Sequence, residues 1–197
     1  MEFSCRTRIY SGAGSLEQLR KLQVQKLLVV ADPYFSQNGT AGRIGAMTGA
    51  SRVEIFDKVT PDPSVELVAE ATAVARELQP DALIGIGGGS TMDLAKAVAY
   101  FTGRKMETIM IPTTSGSGSE VTDFAVLTKG EVKLPLVSRD LLPDMAILDS
   151  ELLENLPKSL VADCGFDVLG HCLEAYTAQN ANGFTDALAL AAFRCVL

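Results

Sequence analysis

Three glycines at the end of an apolar run constrain this chain more than any other feature. Residues 81–86 (Asp-Ala-Leu-Ile-Gly-Ile) run straight into Gly87-Gly88-Gly89-Ser90. A strand with no polar face must be covered on both sides, as strands of parallel sheets are. The glycines then separate it from a segment with helical patterning that opens at Ser90. Glycine allows close backbone approach to a pyrophosphate, and the free N–H groups of a helix N-terminus attract its charge. The same three residues also suit a tight strand-to-helix turn that needs positive φ. The run lacks the last glycine of a full G-x-G-x-x-G, because Ser90 stands there.

The rest of the chain supports this frame. Residues 26–31 (Lys-Leu-Leu-Val-Val-Ala) form a second apolar run, and 7–10, 52–56, 108–111 and 145–148 read as further strands. Helices are expected over 15–21, 65–79 and 90–101. Ser64 is placed to cap the second of these. Leu67, Val68, Ala71, Val74, Ala75 and Leu78 recur on one of its faces with the 3.6-residue period. Ser90 and Asp93 have capping-box-like spacing for the third. Segments 124–128 and 132–137 read as a β pair around Lys129-Gly130. After Asp149 the alternation stops, and 151–156, 158–178 and 185–197 all read as helix. The expected fold is α/β, with a Rossmann-like parallel-sheet dinucleotide-binding domain over 1–153. The start of an all-helical domain follows over 154–197. The last helix ends in Phe-Arg-Cys-Val-Leu with no glycine, proline or polar cap. It therefore reads as part of a longer chain, and its apolar face predicts dimerisation or aggregation.

Composition narrows the function. A net charge of −7 argues against a nucleic-acid surface. No apolar run reaches the roughly 18–20 residues that span a bilayer. The first residues carry no signal-peptide core. The cysteines at 5, 164, 172 and 195 form no C-x-x-C pair and read as reduced thiols. A cytoplasmic protein is expected.

Three further places carry chemistry. Asp32 ends the 26–31 strand, where ligands of parallel sheets collect. Its carboxylate suits ribose hydroxyls and would repel a 2′-phosphate, although an Asp before Pro33 also suits a plain turn. Residues 113–119 offer five hydroxyls and two glycines after the 108–111 strand, which suits phosphate, ribose or nicotinamide contacts. Asp167 and His171, the single histidine, stand four apart on a predicted helix. At that spacing their side chains share a face, and Asp with a neutral imidazole suits Fe²⁺ or Zn²⁺. Cys164 or Glu174 would be the nearest third donor, while Cys172 points away and reads as packing.

Together these motifs resemble the iron-containing (group III) alcohol dehydrogenases. The resemblance rests on Gly87–Ser90 with Asp93 and Lys96, on Ile-Pro-Thr-Thr-Ser-Gly-Ser-Gly-Ser-Glu over 111–120, on Leu-Pro-Asp-Met-Ala-Ile-Leu-Asp over 142–149, and on Gly165-Phe-Asp167 with His171 and Glu174-Ala-Tyr176. It implies hydride transfer between a small alcohol, of propanol or butanol type, and NAD, with metal and substrate in a cleft between two domains and a homodimeric assembly. Asp32 would hold the adenosine ribose and favour NAD. Gly87, Gly88, Gly89 and Ser90 would hold the pyrophosphate. Thr113, Thr114, Ser117 and Ser119 would line the ribose and nicotinamide side, with Lys133 also approaching. Asp167 and His171 would be the first two metal ligands.

The family completes its metal set with two later histidines, which this sequence lacks, so the 197-residue chain alone is expected to be nearly inactive. Ser150 replaces a usual proline, and Gly170 and Cys172 replace commoner residues. A zinc-dependent glycerol-dehydrogenase-like polyol enzyme and a non-catalytic nucleotide- or partner-binding module are the rival readings.

Overall fold

The computed structural model describes residues 3–197; Met1 and Glu2, the first residues of the expected 1–153 unit, lie outside them. Eight strands and six α-helices follow one another among the described residues. They are β1 (Arg8–Ser11), β2 (Lys26–Ala31), α1 (Pro33–Gln37), α2 (Thr40–Met47), β3 (Arg52–Phe56), α3 (Val65–Leu78), β4 (Ala82–Gly87), α4 (Gly89–Thr102), β5 (Glu107–Pro112), β6 (Phe124–Lys129), β7 (Val132–Val137), β8 (Met145–Leu148), α5 (Lys158–Thr177) and α6 (Gly183–Val196).

Six strands form one sheet in the order β1-β8-β5-β4-β2-β3, and every pair in it is parallel. The alternation of side chains across each strand explains why the apolar runs have no polar face. Leu28, Val30, Leu83 and Met110 enter a core beneath α3 and α4. Leu27, Val29, Ala31, Ile84, Ile86, Ile109 and Ile111 enter a second core on the opposite face, with Ile44 of α2. The central strands β2 and β4 are therefore apolar on both faces because a separate core lies on each. Glycine is required where β4 meets α4. A Cβ at Gly85 would stand 2.8 Å from both the Ala95 Cβ and the Met110 sulfur.

The order of the strands creates a switch point. From β2 the chain steps outward to β3, then returns to β4 on the other side of β2 and continues outward through β5 to β8. The carboxyl ends of β2 and β4 thus lie side by side where the winding reverses, which is where open parallel sheets bind ligands. β6 and β7 form a separate antiparallel hairpin. After β8 no strand follows among the described residues, and α5 and α6 pack on one another.

Several expected elements differ. Residues 15–21 form a 3-10 helix rather than an α-helix. Leu16 and Leu19 are its buried residues, and a spacing of three matches the 3-10 repeat. Helix 151–156 is reduced to a 3-10 turn at Ser150–Leu153. α1 and α2 were not expected. α4 begins at Gly89 with Gly88 as N-cap and no side-chain cap, so the Ser90–Asp93 capping box does not form. The cap by Ser64 does form, its hydroxyl accepting from the Leu67 N–H at 3.1 Å.

Asp149 closes the sheet at β8. Its buried carboxylate accepts from the N–H groups of Gly14, Leu16 and Glu151 at 3.2, 3.0 and 3.2 Å. Asp149→Ala leaves the buried Leu16 N–H and the part-buried Gly14 and Glu151 N–H groups without this acceptor and is expected to cost about 3 kcal/mol. Urea unfolding checks this: the midpoint should fall with an unchanged slope.

Candidate functional site

A cleft of about 690 Å³ opens at the switch point. Asp32, at the end of β2, and Gly88, Gly89 and Ser90, at the end of β4, line it together. Thr113, Thr114 and Ser117 of the loop after β5 complete the central wall. The backbone holds these segments in register: the Asp32 N–H donates to the Ile86 carbonyl at 2.9 Å, and the Thr113 N–H to the Gly87 carbonyl at 2.9 Å.

The glycines fit tightly. A Cβ on Gly87 would fall 2.3 Å from the Thr91 hydroxyl oxygen and 2.6 Å from its Cβ, so no larger residue enters without moving α4. Gly87 itself is buried under the turn and does not line the cleft. Above it, a Cβ on Gly88 would touch Thr114 at 3.4 Å, and one on Gly89 would press on Ser117 at 3.0 Å. The hydroxyl loop therefore lies directly against the glycine turn. Because α4 has no side-chain cap, its first N–H groups have no intrahelical acceptor, and Gly89, Ser90 and Thr91 border the cleft. This is the arrangement that receives a phosphate.

Asp32 also caps α1. One carboxylate oxygen accepts from the Tyr34 N–H at 2.9 Å, which leaves the other for a ligand. Both readings of Asp32, turn former and cleft wall, therefore hold at once. Tyr34 of α1 and Arg43 of α2, not among the residues singled out from the sequence, also line the cleft.

Ser119, expected on the ribose and nicotinamide side, lies deeper in the loop. Its side chain is buried outside the cleft lining, and its hydroxyl donates to Asp93 at 2.6 Å. The other Asp93 oxygen accepts from the Val126 N–H at 2.9 Å. Beside it, Lys96 is a buried cation. Its Nζ donates to the Ser119 carbonyl at 2.9 Å, to the Thr122 carbonyl at 3.3 Å and to the Phe124 carbonyl, and lies 3.5 Å from Asp93. Ser119, Asp93 and Lys96 thus fasten the far end of the hydroxyl loop to α4. Burial lowers the Lys96 pKa, with Asp93 opposing. Burial raises the Glu120 pKa, with Lys96 opposing less strongly, and one Glu120 oxygen has no partner.

Lys133 lies outside the cleft lining and pairs with Asp62 at 3.0 Å.

Asp167 and His171 do share a face of α5, with the His171 Nε2 3.7 Å from an Asp167 oxygen and both side chains about half exposed. Asp167 lines the cleft, whereas His171 does not. Gly116 brings the hydroxyl loop onto this helix: a Cβ there would meet an Asp167 oxygen at 3.0 Å and the Cys164 backbone at 3.3 Å. The pair has the donor chemistry of an iron or zinc site, but a catalytic site takes three protein ligands. Among the described residues no group of three His, Cys, Asp or Glu side chains is placed to hold a metal. Neither Cys164 nor Glu174 supplies the third donor. Cys172 is buried as packing. Among the described residues no helix is long and apolar enough to cross a membrane.

The family model described as iron-containing alcohol dehydrogenase matches residues 6–150. The 1-propanol dehydrogenase PduQ of Citrobacter freundii is 42% identical over 194 residues, covering 95% of this chain and 52% of the relative. The NADPH-dependent butanol dehydrogenase of Clostridium saccharobutylicum is 37% identical, covering 100% and 57%. Among solved structures, the iron-containing alcohol dehydrogenase of Thermococcus thioreducens superposes with a TM-score of 0.93 at 33% identity, covering 99% and 59%. Sulfoacetaldehyde reductase of Bifidobacterium kashiwanohense in complex with NAD⁺ gives 0.89 at 26%, covering 95% and 56%. The chain spans about half the length of the curated relatives it matches.

Glu120 gives the site a pH signature. Its folded pKa is raised above the ordinary value of 4.5, so the folded state binds the proton more tightly than the unfolded chain. Its favourable contribution is complete below 4.5 and is lost as pH rises through the folded value. Glu120→Gln removes this dependence. Thermal melts should find the two proteins alike below pH 4.5, with the variant increasingly more stable toward neutral pH.

Proposed function

This chain belongs to the iron-containing alcohol dehydrogenase family, and from that premise we propose that it forms the cofactor-binding half of an NAD-dependent dehydrogenase. The reaction is interconversion of a small primary alcohol, of propanol or butanol type, and its aldehyde. The alcohol carbon gives a hydride to NAD⁺ and the hydroxyl gives up its proton. One observation carries the reading: Asp32, the glycine turn and the uncapped start of α4 meet in one cleft at the switch point of a parallel sheet.

The roles follow from chemistry. Gly88 and Gly89 let the backbone approach a pyrophosphate, and the first N–H groups of α4 with the Ser90 hydroxyl donate to it. Gly87 acts from below by allowing α4 to start where it does. The free oxygen of Asp32 accepts from an adenosine ribose hydroxyl, and its charge disfavours a 2′-phosphate. Thr113, Thr114 and Ser117 face the nicotinamide side. Residues 1–153 serve as the dinucleotide domain and 154–197 as the opening of a helical domain.

Asp167 and His171 hold part of the set for Fe²⁺, or for Zn²⁺, which accepts the same donors. When bound, such a metal polarises the substrate oxygen. With these two donors alone, the chain by itself binds dinucleotide with little or no turnover. The apolar side chains that α5 and α6 leave exposed, among them Phe166, Leu173, Phe184 and Leu188, support self-association as a homodimer.

Cofactor choice tests the reading directly. Measured by quenching or calorimetry, the chain should bind NAD⁺ more tightly than NADP⁺. Asp32→Gly removes the acceptor and the repulsive charge together. It should shift the ratio of the two dissociation constants toward NADP⁺ by at least about tenfold, or 1.4 kcal/mol. Equal binding of both cofactors by the unaltered chain would sink the assignment of Asp32.

A further inference from the structure

Lys96 lies on α4 about two turns behind the glycine turn, yet it does not line the cleft. Its side chain is fully buried, and a buried ammonium group must be paired and hydrogen-bonded. The Nζ donates to the Ser119 carbonyl at 2.9 Å, to the Thr122 carbonyl at 3.3 Å and to the Phe124 carbonyl. Asp93 is its nearest counter-charge at 3.5 Å, and Glu120 and Asp123 are the other charged groups that face it. A methionine would fill the same space without desolvating a charge. What the lysine adds is the gathering of these three carbonyls.

One residue of this cluster reaches the cleft at second hand. Ser119 is held twice, because Lys96 donates to its carbonyl and Asp93 accepts from its hydroxyl at 2.6 Å. Its backbone N–H donates in turn to the Ser117 hydroxyl oxygen at 3.3 Å. Gly118 between them has a φ of 64°, a left-handed bend that suits glycine and turns residue 119 back toward residue 117. Ser117 lines the cleft, and its Cβ stands 3.0 Å from where a Cβ on Gly89 would be. The sequence of contacts thus runs from a buried ion pair to a hydroxyl that rests on the glycine turn.

We propose that Lys96 and Asp93 are positioning residues for the cofactor: through Ser119 they hold the Ser117 hydroxyl against the glycine turn, with its proton directed to the bound dinucleotide. This rests on the cofactor reading given above. A hydroxyl oxygen that accepts from the Ser119 N–H keeps its single proton for another acceptor, and an oxygen of the dinucleotide in the cleft supplies one. The lysine therefore assists binding without touching the ligand, and its charge is spent on the loop rather than on phosphate.

A double-mutant cycle tests this, with NADH as the probe and its fluorescence as the readout. Ser117→Ala should weaken binding about fivefold and Ser119→Ala about threefold, as expected for losing one hydrogen bond or its alignment. Because the two act in series, the double variant should bind no more weakly than Ser117→Ala. Losses that multiply to about fifteenfold would show that Ser119 acts independently and would overturn the proposal. Lys96→Met should weaken NADH about tenfold, and most of that loss should vanish in the Ser117→Ala background. Should the Lys96→Met chain not fold, Ser119→Ala, which removes one hydroxyl, carries the test by itself. Adenosine, which reaches only the Asp32 end, should bind every variant alike. A parallel loss there would mean general damage to the fold and would count against the proposal.

Hydrogen exchange on the cofactor-free chain separates the proposal from the reading it rests on. Ser117→Ala and Lys96→Met should each speed exchange of the Ser119 N–H while leaving β4 and β5 unchanged. Unchanged exchange at Ser119 in both would refute the connection to Ser117. Faster exchange in a chain that binds no NADH would remove the cofactor reading and leave Lys96 a purely structural anchor. Undiminished NADH binding by all the variants would leave the cofactor reading standing and overturn the proposal alone.

Discussion

The parallel ladder between β2 and β4 is the constraint on which the rest depends. It pairs Ala31 with Ile86, so the residues that follow each strand emerge side by side. One is Asp32 and the other is the glycine turn. Neither segment has a ligand-binding geometry alone. Asp32 by itself is a helix cap, and the glycines by themselves are a tight turn. Their shared register puts a single acceptor and a row of unpaired N–H groups into one crevice. That register is itself fixed by burial, because a slip of one residue would exchange the two cores that Leu28 and Val29 enter.

The second wall of the crevice depends on a buried cation. The segment from Thr113 to Phe124 is too polar and too rich in glycine to hold a shape through apolar packing. Lys96 substitutes for that packing by gathering the carbonyls of Ser119, Thr122 and Phe124 around one ammonium group, with Asp93 as counter-charge. Hydrogen bonds to a charged group are the stronger kind, and burial removes competing water. The anchor lies at one end of the loop, and the cleft-lining hydroxyls of Thr113, Thr114 and Ser117 lie toward the other. Order in the ligand wall is thus obtained without placing a lysine in the site.

Legibility in the sequence followed burial. The strands could be read almost to the residue because a run apolar on both faces has few alternatives. α1 and α2 could not, since 39–45 carries three glycines and little helix propensity. α2 exists because Ala41 and Ile44 pack inward and because Gly45 lets Val53 approach to 2.8 Å of where a Cβ would stand. The site divided in the same way. Asp32, Gly88, Gly89, Ser90, Thr113, Thr114, Ser117 and Asp167 reach one cleft, and each follows directly from a strand end or a helix turn. The partners of Ser119 and Lys133 were not legible, because a hydroxyl or an amine in a polar loop carries no local mark of its partner. Ser119 found Asp93, and Lys133 found Asp62, across 26 and 71 residues of chain. Lys96 stood out as a motif position, but its burial did not, because a lysine is rarely found in a core.

The two halves of the chemistry are joined at one residue that contributes no side chain. Asp167 and His171 owe their mutual spacing to helix geometry, which fixes it wherever α5 lies. What relates them to the glycine turn is the hydroxyl loop: Ser117 lies 3.0 Å from where a Cβ on Gly89 would stand, and an Asp167 oxygen lies 3.0 Å from where one on the neighbouring Gly116 would stand. The absence of a Cβ at position 116 sets how closely α5 approaches the hydroxyl loop. A methyl group there must displace either the loop, which Lys96 anchors, or α5 at Cys164, where backbone rather than a flexible side chain is in the way. The glycine is thus as much a part of the site's geometry as the residues that carry its charge.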